Sequence, residues 1–405
     1  MKKLFVLFIL SLYTAVAISQ TVDEYYKSAG KKSDAGDYKG AIADYSKAIE
    51  LDSKNANLFF SRGFCKYQTA DYEGAISDYT KADELKPGMG DVFYNRGLAN
   101  GKLKRYAAAI EDYTKALQLN SVDYEAYYNR GIMQAKLQKF EDAIADYSEA
   151  VKIKPDYENG FYNRALAKEK LTDYSGALND YTKAFQLDPK DADAIFGKAY
   201  SEYKLKAYSA SVGDYDKTLE LNPNYSNGYY NRALAKDMMD DVAGAIADYK
   251  KATEVNDQDA EAFYNLAICY DKKDDAASSI ASYNSAIKIK SKYAKAYYGR
   301  AYEYQKLKKN TEAMKDFDKS IECDPTFATA YYGRAYLKYD LADYAGAIDD
   351  NTKAIELNSK YANAYNNRGL AYYKVNKTTE ACKDWIKADE LGSTVAKDNV
   401  SKFCK

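Results

Sequence analysis

Residues 124–157 read YEAYYNRGIMQAKLQKFEDAIADYSEAVKIKPDY, and this 34-residue stretch is one copy of a unit that recurs along the chain. A small residue, usually followed by Ile or Leu, returns every 34 residues without insertion or deletion. In most copies an acidic–aromatic pair follows three residues later, as in Asp146-Tyr147. The small residues are Ala41, Ala75, Ala109, Ala143, Ala177, Ser211, Ala245, Ser279, Ala313, Ala347 and Ala381. A fixed period of this length predicts one structural unit copied along a line.

The spacing of apolar and small residues predicts two helices in each copy. In 124–157, Tyr127, Gly131 and Ile132 mark one helical face, and Ala143, Ile144, Tyr147 and Val151 mark a second. With the small residue counted as position 20, Asp is frequent at position 16, where its side chain can cap the second helix. Proline cannot continue a helix, so position 32 marks its exit. The chain's five prolines all fall there: Pro87, Pro155, Pro189, Pro223 and Pro325.

The 34-residue repeats cover almost the whole chain. Eleven repeats span 22–395, and they begin at residues 22, 56, 90, 124, 158, 192, 226, 260, 294, 328 and 362. Residues 396–405 would form a C-terminal cap. Because one hairpin cannot bury both faces whereas stacked hairpins share a core, we predict an all-α fold. It would be an α-solenoid superhelix of eleven helix-turn-helix repeats with a C-terminal capping helix.

The residue pattern within the frame resembles the tetratricopeptide repeat (TPR) family. It has an aromatic residue at position 4, Gly or Ala at 8, Ala at 20, an aromatic at 24, Ala at 27 and Pro at 32, across 22–395. The closing run, ACKDWIKADELG at 381–392 followed by a Cys-Lys end, is similar to that of many secreted bacterial arrays of this family. The resemblance implies a protein-interaction module.

Positions 7 and 23 predict ion pairs inside the repeats. Position 7 is basic and position 23 is Asp in the same nine repeats, and both lie eight residues from the turn at position 15. The eighth repeat replaces both at once, with Leu266 and Ser282, whereas the first has Ser28 opposite Asp44. The alternative is a ladder of arginines that binds a ligand. The candidate structural pairs are Arg62–Asp78, Arg96–Asp112, Arg130–Asp146 and Arg164–Asp180.

The family resemblance implies a concave groove lined by positions 2, 5, 9, 12 and 13 of each first helix. Position 5 is aromatic in ten of the eleven repeats, with Asn366 the exception. An aromatic floor would suit an extended or helical peptide. The alternative is that these rings pack on one another and complete the core. The candidate groove residues are Phe60, Tyr94, Tyr128, Tyr162, Phe196, Tyr230, Tyr264, Tyr298 and Tyr332.

Composition argues against several function classes. The chain has 60 acidic and 59 basic residues, with no block of like charge, which argues against nucleic acid as the partner. It has no histidine, so a Ser-His-Asp or Cys-His nucleophile system and a His-ligated metal are both excluded. Nothing resembles a phosphate-binding loop. We therefore expect no catalytic residue, no cofactor and no metal, and a protein that is not an enzyme.

Residues 1–19 have the order of a secretory signal peptide. Lys2 and Lys3 precede the apolar run LFVLFILSL, and small residues follow up to Ser19. The run is shorter than the roughly 20 residues of a membrane span. Cleavage is expected after Ser19, with Ala17 as the second choice, and a retained anchor is the alternative. We expect an exported protein, periplasmic or extracellular in a bacterium, or in the secretory lumen of a eukaryote.

Export would permit disulfides. Of the five cysteines, Cys382 and Cys404 lie at the C-terminal end and could close the cap. The alternative is that Cys382, next to the small position-20 residue, points away from the closing helix.

Taken together, these features predict a non-catalytic protein–protein interaction scaffold of the cell envelope or exterior. It would bind a peptide segment of an unidentified partner in the groove, with no nucleic acid and no membrane insertion after signal removal. The alternatives are a chaperone-like holder of unfolded envelope proteins and a binder of glycans or small ligands.

Overall fold

The computed structural model describes residues 21–404, which are helical throughout, with no strand in this range. The predicted signal peptide at 1–19 lies outside the described residues. Two compact units divide the chain, one ending at Leu205 and the other beginning at Lys206.

The first unit consists of helical hairpins. Each second helix packs on the first helix of the same repeat and on that of the next. The helices are α1 (21–34), α2 (Tyr38–Leu51), α3 (Ala56–Gln68), α4 (Tyr72–Leu85), α5 (Gly90–Lys102), α6 (Tyr106–Leu119), α7 (Tyr124–Lys136), α8 (Phe140–Ile153), α9 (Glu158–Lys170), α10 (Tyr174–Leu187) and α11 (Ala192–Lys204).

The second unit repeats this arrangement and closes with one extra helix. Its helices are α12 (Tyr208–Leu221), α13 (Ser226–Asp237), α14 (Val242–Val255), α15 (Ala260–Lys272), α16 (Ala276–Ile289), α17 (Ala294–Lys306), α18 (Asn310–Cys323), α19 (Ala328–Asp340), α20 (Tyr344–Leu357), α21 (Ala362–Lys374), α22 (Thr378–Glu390) and α23 (Thr394–Phe403). The predicted all-α solenoid of helical hairpins is confirmed.

Helix boundaries follow the residues that cap them. Asp173 accepts a hydrogen bond from the Gly176 backbone N–H at the start of α10, and Asp37, Asp71, Asp241, Asp275 and Asp343 cap their helices in the same way. Pro189 comes two residues after α10 ends at Leu187. The capping Asp and the proline therefore mark the start and the end of the second helix at the positions that the sequence predicts.

Each hairpin turns through one residue in the left-handed region, at position 15. The first repeat has Gly36 there, with φ +79°. The other repeats have residues with a side chain: Ala70, Lys104, Gln138, Thr172, Lys206, Asp240, Asp274, Lys308, Ala342 and Asn376, with φ between 59° and 64°. Apart from Asn and Asp, side chains seldom adopt this conformation, so the turn is fixed by the helices on either side.

The core of every hairpin but the tenth, where Asn351 is buried instead, is a large ring over a small residue. Tyr147 at position 24 is 1% exposed, and Ala143 at position 20 is fully buried. A Cβ added to Gly131 at position 8 would lie 2.8 Å from the Tyr147 ring. The small residue therefore lets the two helices approach closely enough to bury the tyrosine.

The C-terminal helix covers the last repeat. It begins at Thr394, where the Ser393 side chain accepts a hydrogen bond from the Ala396 backbone N–H. A disulfide joins Cys382 to Cys404, and the Phe403 ring packs 4.8 Å from that of Tyr373.

Candidate functional site

The arginines at position 7 are directed into the repeat. Nε and Nη2 of Arg130 donate to the two carboxylate oxygens of Asp146, each at 2.7 Å, and Asp146 is buried. Such a planar, two-bond pair is the strongest geometry for arginine and a carboxylate. The same contact joins Arg62–Asp78, Arg164–Asp180, Arg232–Asp248, Arg300–Asp316, Arg334–Asp350 and Arg368–Asp384. In the Arg96–Asp112 pair, Nε donates to both carboxylate oxygens and Nη2 to one of them.

A third contact of each arginine was not anticipated from the sequence. Nη1 of Arg130 donates to the hydroxyl of Thr114, at position 25 of the preceding repeat, at 2.9 Å. Nη1 of Arg164 does the same to Ser148 and that of Arg334 to Asp318. Each guanidinium therefore joins two repeats. These donors have protein acceptors, which leaves the ligand-ladder interpretation without support.

At the eighth repeat, positions 7 and 23 change together with position 25 of the preceding repeat. Leu266 replaces the arginine and is buried, while the Ser282 hydroxyl donates to the Ser278 carbonyl within its own helix. Position 25 of the seventh repeat is Lys250, which has no acceptor for a guanidinium. A polar acceptor at position 25 was thus the sequence signal for the contact between repeats.

The first repeat keeps its buried carboxylate paired by other means. The Ser28 hydroxyl donates to Asp44 at 2.7 Å, and the Lys32 ammonium lies 2.6 Å from the same oxygen. These hydrogen bonds, from Lys32 first and Ser28 second, lower the pKa of the Asp44 carboxyl.

Most position-5 rings are half-buried and pack on the position-24 ring of their own repeat. The ring centres of Tyr128 and Tyr147 are 5.8 Å apart. The same relation holds for Phe60–Tyr79, Tyr94–Tyr113, Tyr162–Tyr181, Tyr230–Tyr249, Tyr264–Tyr283 and Tyr298–Phe317. Tyr332 packs on Tyr361, and Phe196 is likewise half-buried. All nine candidate groove residues therefore keep only part of their surface in contact with solvent.

Several position-5 hydroxyls also join neighbouring repeats. The side-chain amides of Asn129, Asn163 and Asn265, all at position 6, donate to the hydroxyls of Tyr94, Tyr128 and Tyr230 in the preceding repeats. Asn366, the exception at position 5, accepts a 3.1 Å hydrogen bond from Asn399 of the capping helix. Asn366 is buried under that helix.

Position 9 carries exposed apolar groups in several repeats, on the same face of the first helices. Tyr302 is 48% exposed, Tyr336 is 47% exposed and Leu166 is 36% exposed. We call the surface formed by positions 5, 9, 12 and 13 the first-helix face. In some repeats position 9 packs between repeats, as where the rings of Phe64 and Tyr200 contact Tyr38 and Tyr174 of the preceding repeats. The exposed position-9 side chains are therefore the ones that deserve weight as contact residues.

Hollows open on the first-helix face at the same place in different repeats. One of about 190 Å³ lies between α1 and α3, and the two described next, called the first and the second hollow, are larger. In the first unit, a hollow of about 310 Å³ lies between α7 and α9, with Ile132, Ala135 and Leu166 in its lining. In the second unit, a hollow of about 380 Å³ lies between α17 and α19. Its lining includes Tyr298, Tyr302, Gln305, Tyr332 and Tyr336.

An unusual carboxyl group lies next to the second hollow. Glu303 at position 10 is 1% exposed, whereas the neighbouring repeats have the buried Cys269 and Leu337 there. Burial, followed by hydrogen bonding with Asp271, raises the pKa of Glu303 to about 7. The nearest cation is the Lys306 ammonium, 3.5 Å from Glu303 and 2.8 Å from Asp271.

Metal-binding clusters and membrane-spanning helices are both absent from residues 21–404. Within that range, no group of three or more His, Cys, Asp or Glu side chains is placed to hold a metal ion. None of the helices described has both the length and the apolar character needed to cross a bilayer.

Family models match successive parts of this array. A tetratricopeptide repeat model matches residues 90–121, 124–157 and 294–327, and a second matches 162–226 and 230–294. A third model, described as a TPR repeat, matches 34–69. The chain belongs to the tetratricopeptide repeat family. A search of curated proteins found no match.

Solved structures share parts of this TPR architecture. The C-terminal part of a TPR repeat-containing protein from Cytophaga hutchinsonii has 21% identity and a TM-score of 0.53, covering 59% of this chain and 98% of its own. The MamA protein has 27% identity and a TM-score of 0.41, covering 43% and 96%. YrrB, described as a TPR protein with an unusual peptide-binding site, has 25% identity and a TM-score of 0.41, covering 45% and 97%.

Proposed function

We propose that this TPR protein is a non-catalytic scaffold that binds a peptide segment of a partner protein on its first-helix face. The observation that carries the proposal is the recurrence of exposed apolar side chains at position 9 beside hollows. Scattered exposed apolar residues are normal on any protein. Here Leu166, Tyr302 and Tyr336 occupy one position of the repeat, and each lines a hollow.

The surrounding contacts make this face rigid. The arginine of position 7 fixes its first helix to the second helix of the preceding repeat. The hydroxyl–amide bonds of position 5 fix neighbouring first helices to one another. A surface that is ordered before binding loses little conformational entropy when a partner docks. Aromatic and aliphatic anchors on such a surface are typical of the few residues that dominate binding energy.

The proposal includes export of the chain. It is supported by Lys2, Lys3 and the apolar run that follows them. N-terminal sequencing of the protein recovered from outside the cytoplasm should read Gln20 as the first residue. An intact Met1 on such material would contradict cleavage.

The binding proposal is tested by selecting displayed random peptides on the purified chain. Variants should place a charge on the face without touching the residues that join repeats, so Leu166→Asp and Tyr336→Asp are preferable to changes at Tyr128 or Tyr162. Ile386→Asp is the matched control, because Ile386 on α22 is 46% exposed but lies outside the face. Selected peptides should lose binding to at least one face variant and keep binding to the control.

The other outcomes contradict the proposal in distinct ways. Peptides whose binding is unchanged by Leu166→Asp, Tyr336→Asp and Ile386→Asp would show that the binding site lies elsewhere. Weak binding of every unfolded segment, without sequence preference, would favour a holder of unfolded proteins. Binding of oligosaccharides in the absence of any peptide would favour a glycan binder.

A further inference from the structure

The second hollow differs from the first at position 6. In the first hollow Asn163 occupies this position and donates a 3.0 Å hydrogen bond to the Tyr128 hydroxyl. In the second hollow Gly333 takes the place of the asparagine, and Tyr298 takes the place of Tyr128. Within the described residues, the Tyr298 hydroxyl makes no hydrogen bond. The glycine therefore leaves a phenol group available at the wall of the hollow.

Gly333 also shapes the floor. A Cβ at this residue would lie 2.6 Å from the Phe317 ring and 3.0 Å from the Tyr298 ring. Both rings can therefore close over the backbone only because residue 333 has no side chain. Tyr302 and Tyr336, each about half exposed, stand on the two helices that flank the hollow. The result is a slot with aromatic sides and an aromatic floor.

The polar groups of the slot are mainly hydrogen-bond donors. They are the hydroxyls of four tyrosines, the Gln305 amide and the ammonium groups of Lys306 and Lys308, with Asp340 as the one carboxylate of the lining. The Lys306 charge is already offset by Asp271 at 2.8 Å and Asp274 at 3.3 Å. An occupant that fits must offer flat apolar groups together with acceptors.

We infer that this slot, Tyr298–Tyr302–Gln305–Gly333–Tyr336, binds a proline-containing segment in the polyproline II conformation. This inference rests on the proposed function and names its partner class. Proline rings pack well against aromatic walls, and a polyproline II chain has no internal hydrogen bonds, so its carbonyls are free to accept. A helical peptide would satisfy its own carbonyls and leave the donors of the slot unused. A cationic side chain of the peptide would be repelled by the ammonium groups of Lys306 and Lys308.

The test is a titration of the full chain with a fluorescent oligoproline peptide, followed by anisotropy. Tyr302→Ala and Tyr336→Ala should each weaken binding by about tenfold, the loss expected for one aromatic contact of about 1.4 kcal/mol. Ile386→Ala is the control for an exposed apolar residue outside the slot and outside the first-helix face, and it should not change the affinity. A Gly/Ser peptide of equal length should bind far more weakly.

Tyr298→Phe isolates the hydroxyl without deleting the ring. Because that hydroxyl has no protein partner, folding should be unchanged while oligoproline binding weakens severalfold. Tyr128→Phe is its matched control in the first unit. It removes the hydroxyl that accepts from Asn163, and it should lower stability without affecting oligoproline binding.

The outcomes separate this inference from the proposed function. Oligoproline binding that is unchanged by Tyr302→Ala and Tyr336→Ala would overturn the slot as the binding site. A selected peptide class that depends on Leu166 alone would do the same. The scaffold proposal would stand in both cases. Binding of a β-linked N-acetylglucosamine oligosaccharide but not of oligoproline would overturn the partner class. Failure of every peptide to bind would overturn the proposed function itself.

Discussion

Arg130 and Thr114 belong to different repeats and are joined by a 2.9 Å hydrogen bond from the guanidinium to the hydroxyl. Because the same guanidinium holds Asp146 of its own repeat, one side chain fixes both the register of a hairpin and its contact with the preceding one. The buried pair thus acts on the spacing of the first helices, which is the feature that a binding face needs.

Replacing Arg130 by Leu should destabilise the fourth repeat by about 3–5 kcal/mol, because Asp146 is left as an unpaired buried charge. Hydrogen exchange of the backbone amides of α7 and α8 measures the loss. The double variant Arg130→Leu with Asp146→Ser copies the Leu266 and Ser282 pair of the eighth repeat. It should recover most of that stability, and equal losses in the single and double variants would contradict the account.

Replacing Thr172 by Gly should stabilise the fifth repeat by about 1 kcal/mol. Thr172 has φ +62°, in the left-handed region, where a β-branched side chain is disfavoured and glycine is not. Local hydrogen exchange of α9 and α10 measures the gain. The reverse change, Gly36→Thr, should destabilise the first repeat, and a neutral result for both would show that the turn carries no strain.

Much of the fold could be predicted from the sequence because each repeat gives the same evidence again. The helix boundaries follow from the 34-residue period, from the Asp residues that cap the second helices and from the prolines that follow them, as at Asp173 and Pro189. The left-handed turn was harder to predict, since Gly36 marks it in only one repeat and the neighbouring helices force other residues into it elsewhere.

The candidate site was less predictable because the sequence pattern does not separate packing from exposure. The aromatic row at position 5 is conspicuous, yet its rings are half-buried against residues such as Tyr147. The exposure of Tyr302 and Tyr336 depends on how neighbouring helices pack. The change from Asn163 to Gly333 at one position is visible in the sequence, but its meaning requires the Asn163–Tyr128 hydrogen bond.

Replacing Glu303 by Gln should remove a pH dependence of stability. The pKa of Glu303 in the folded chain is about 7, above its ordinary value of 4.5, so the folded state holds its proton more tightly. The resulting stability is complete below about pH 4.5 and is lost as the pH rises through 7. Asp271, Lys306 and Tyr283 face this carboxyl, and Lys306 also pairs with Asp274. Asp271 adds to the rise in the pKa of Glu303, whereas Lys306 opposes it.

Denaturant unfolding followed near pH 5 and near pH 8 measures this difference. Glu303→Gln should exceed the wild type by about 2 kcal/mol at the higher pH and match it at the lower. Glu84→Gln, at an exposed glutamate on α4, is the control and should leave the profile unchanged. A wild-type profile retained by Glu303→Gln would place the titration elsewhere.

Replacing Cys404 by Ala should loosen the C-terminal cap. The bond with Cys382 closes a loop with a sequence separation of 22, which corresponds to about 3 kcal/mol in the chain-entropy model. Amides of α23 should exchange faster, whereas those of α7 and α8 should not change, because each repeat contacts only its neighbours. Unchanged protection of α23 would mean that the packing of Phe403 suffices to hold the cap.

The most direct measurement of the central claim is photo-cross-linking on the first-helix face. A photoreactive phenylalanine analogue at residue 166, 302 or 336 should cross-link to a selected peptide, and the same analogue at residue 386 should not. These sites are matched in exposure, which lies between 36% and 48%. Cross-links at one or more of the three face sites alone are the predicted result. Cross-links at residue 386 alone, or equally at all four, would contradict a binding site on this face.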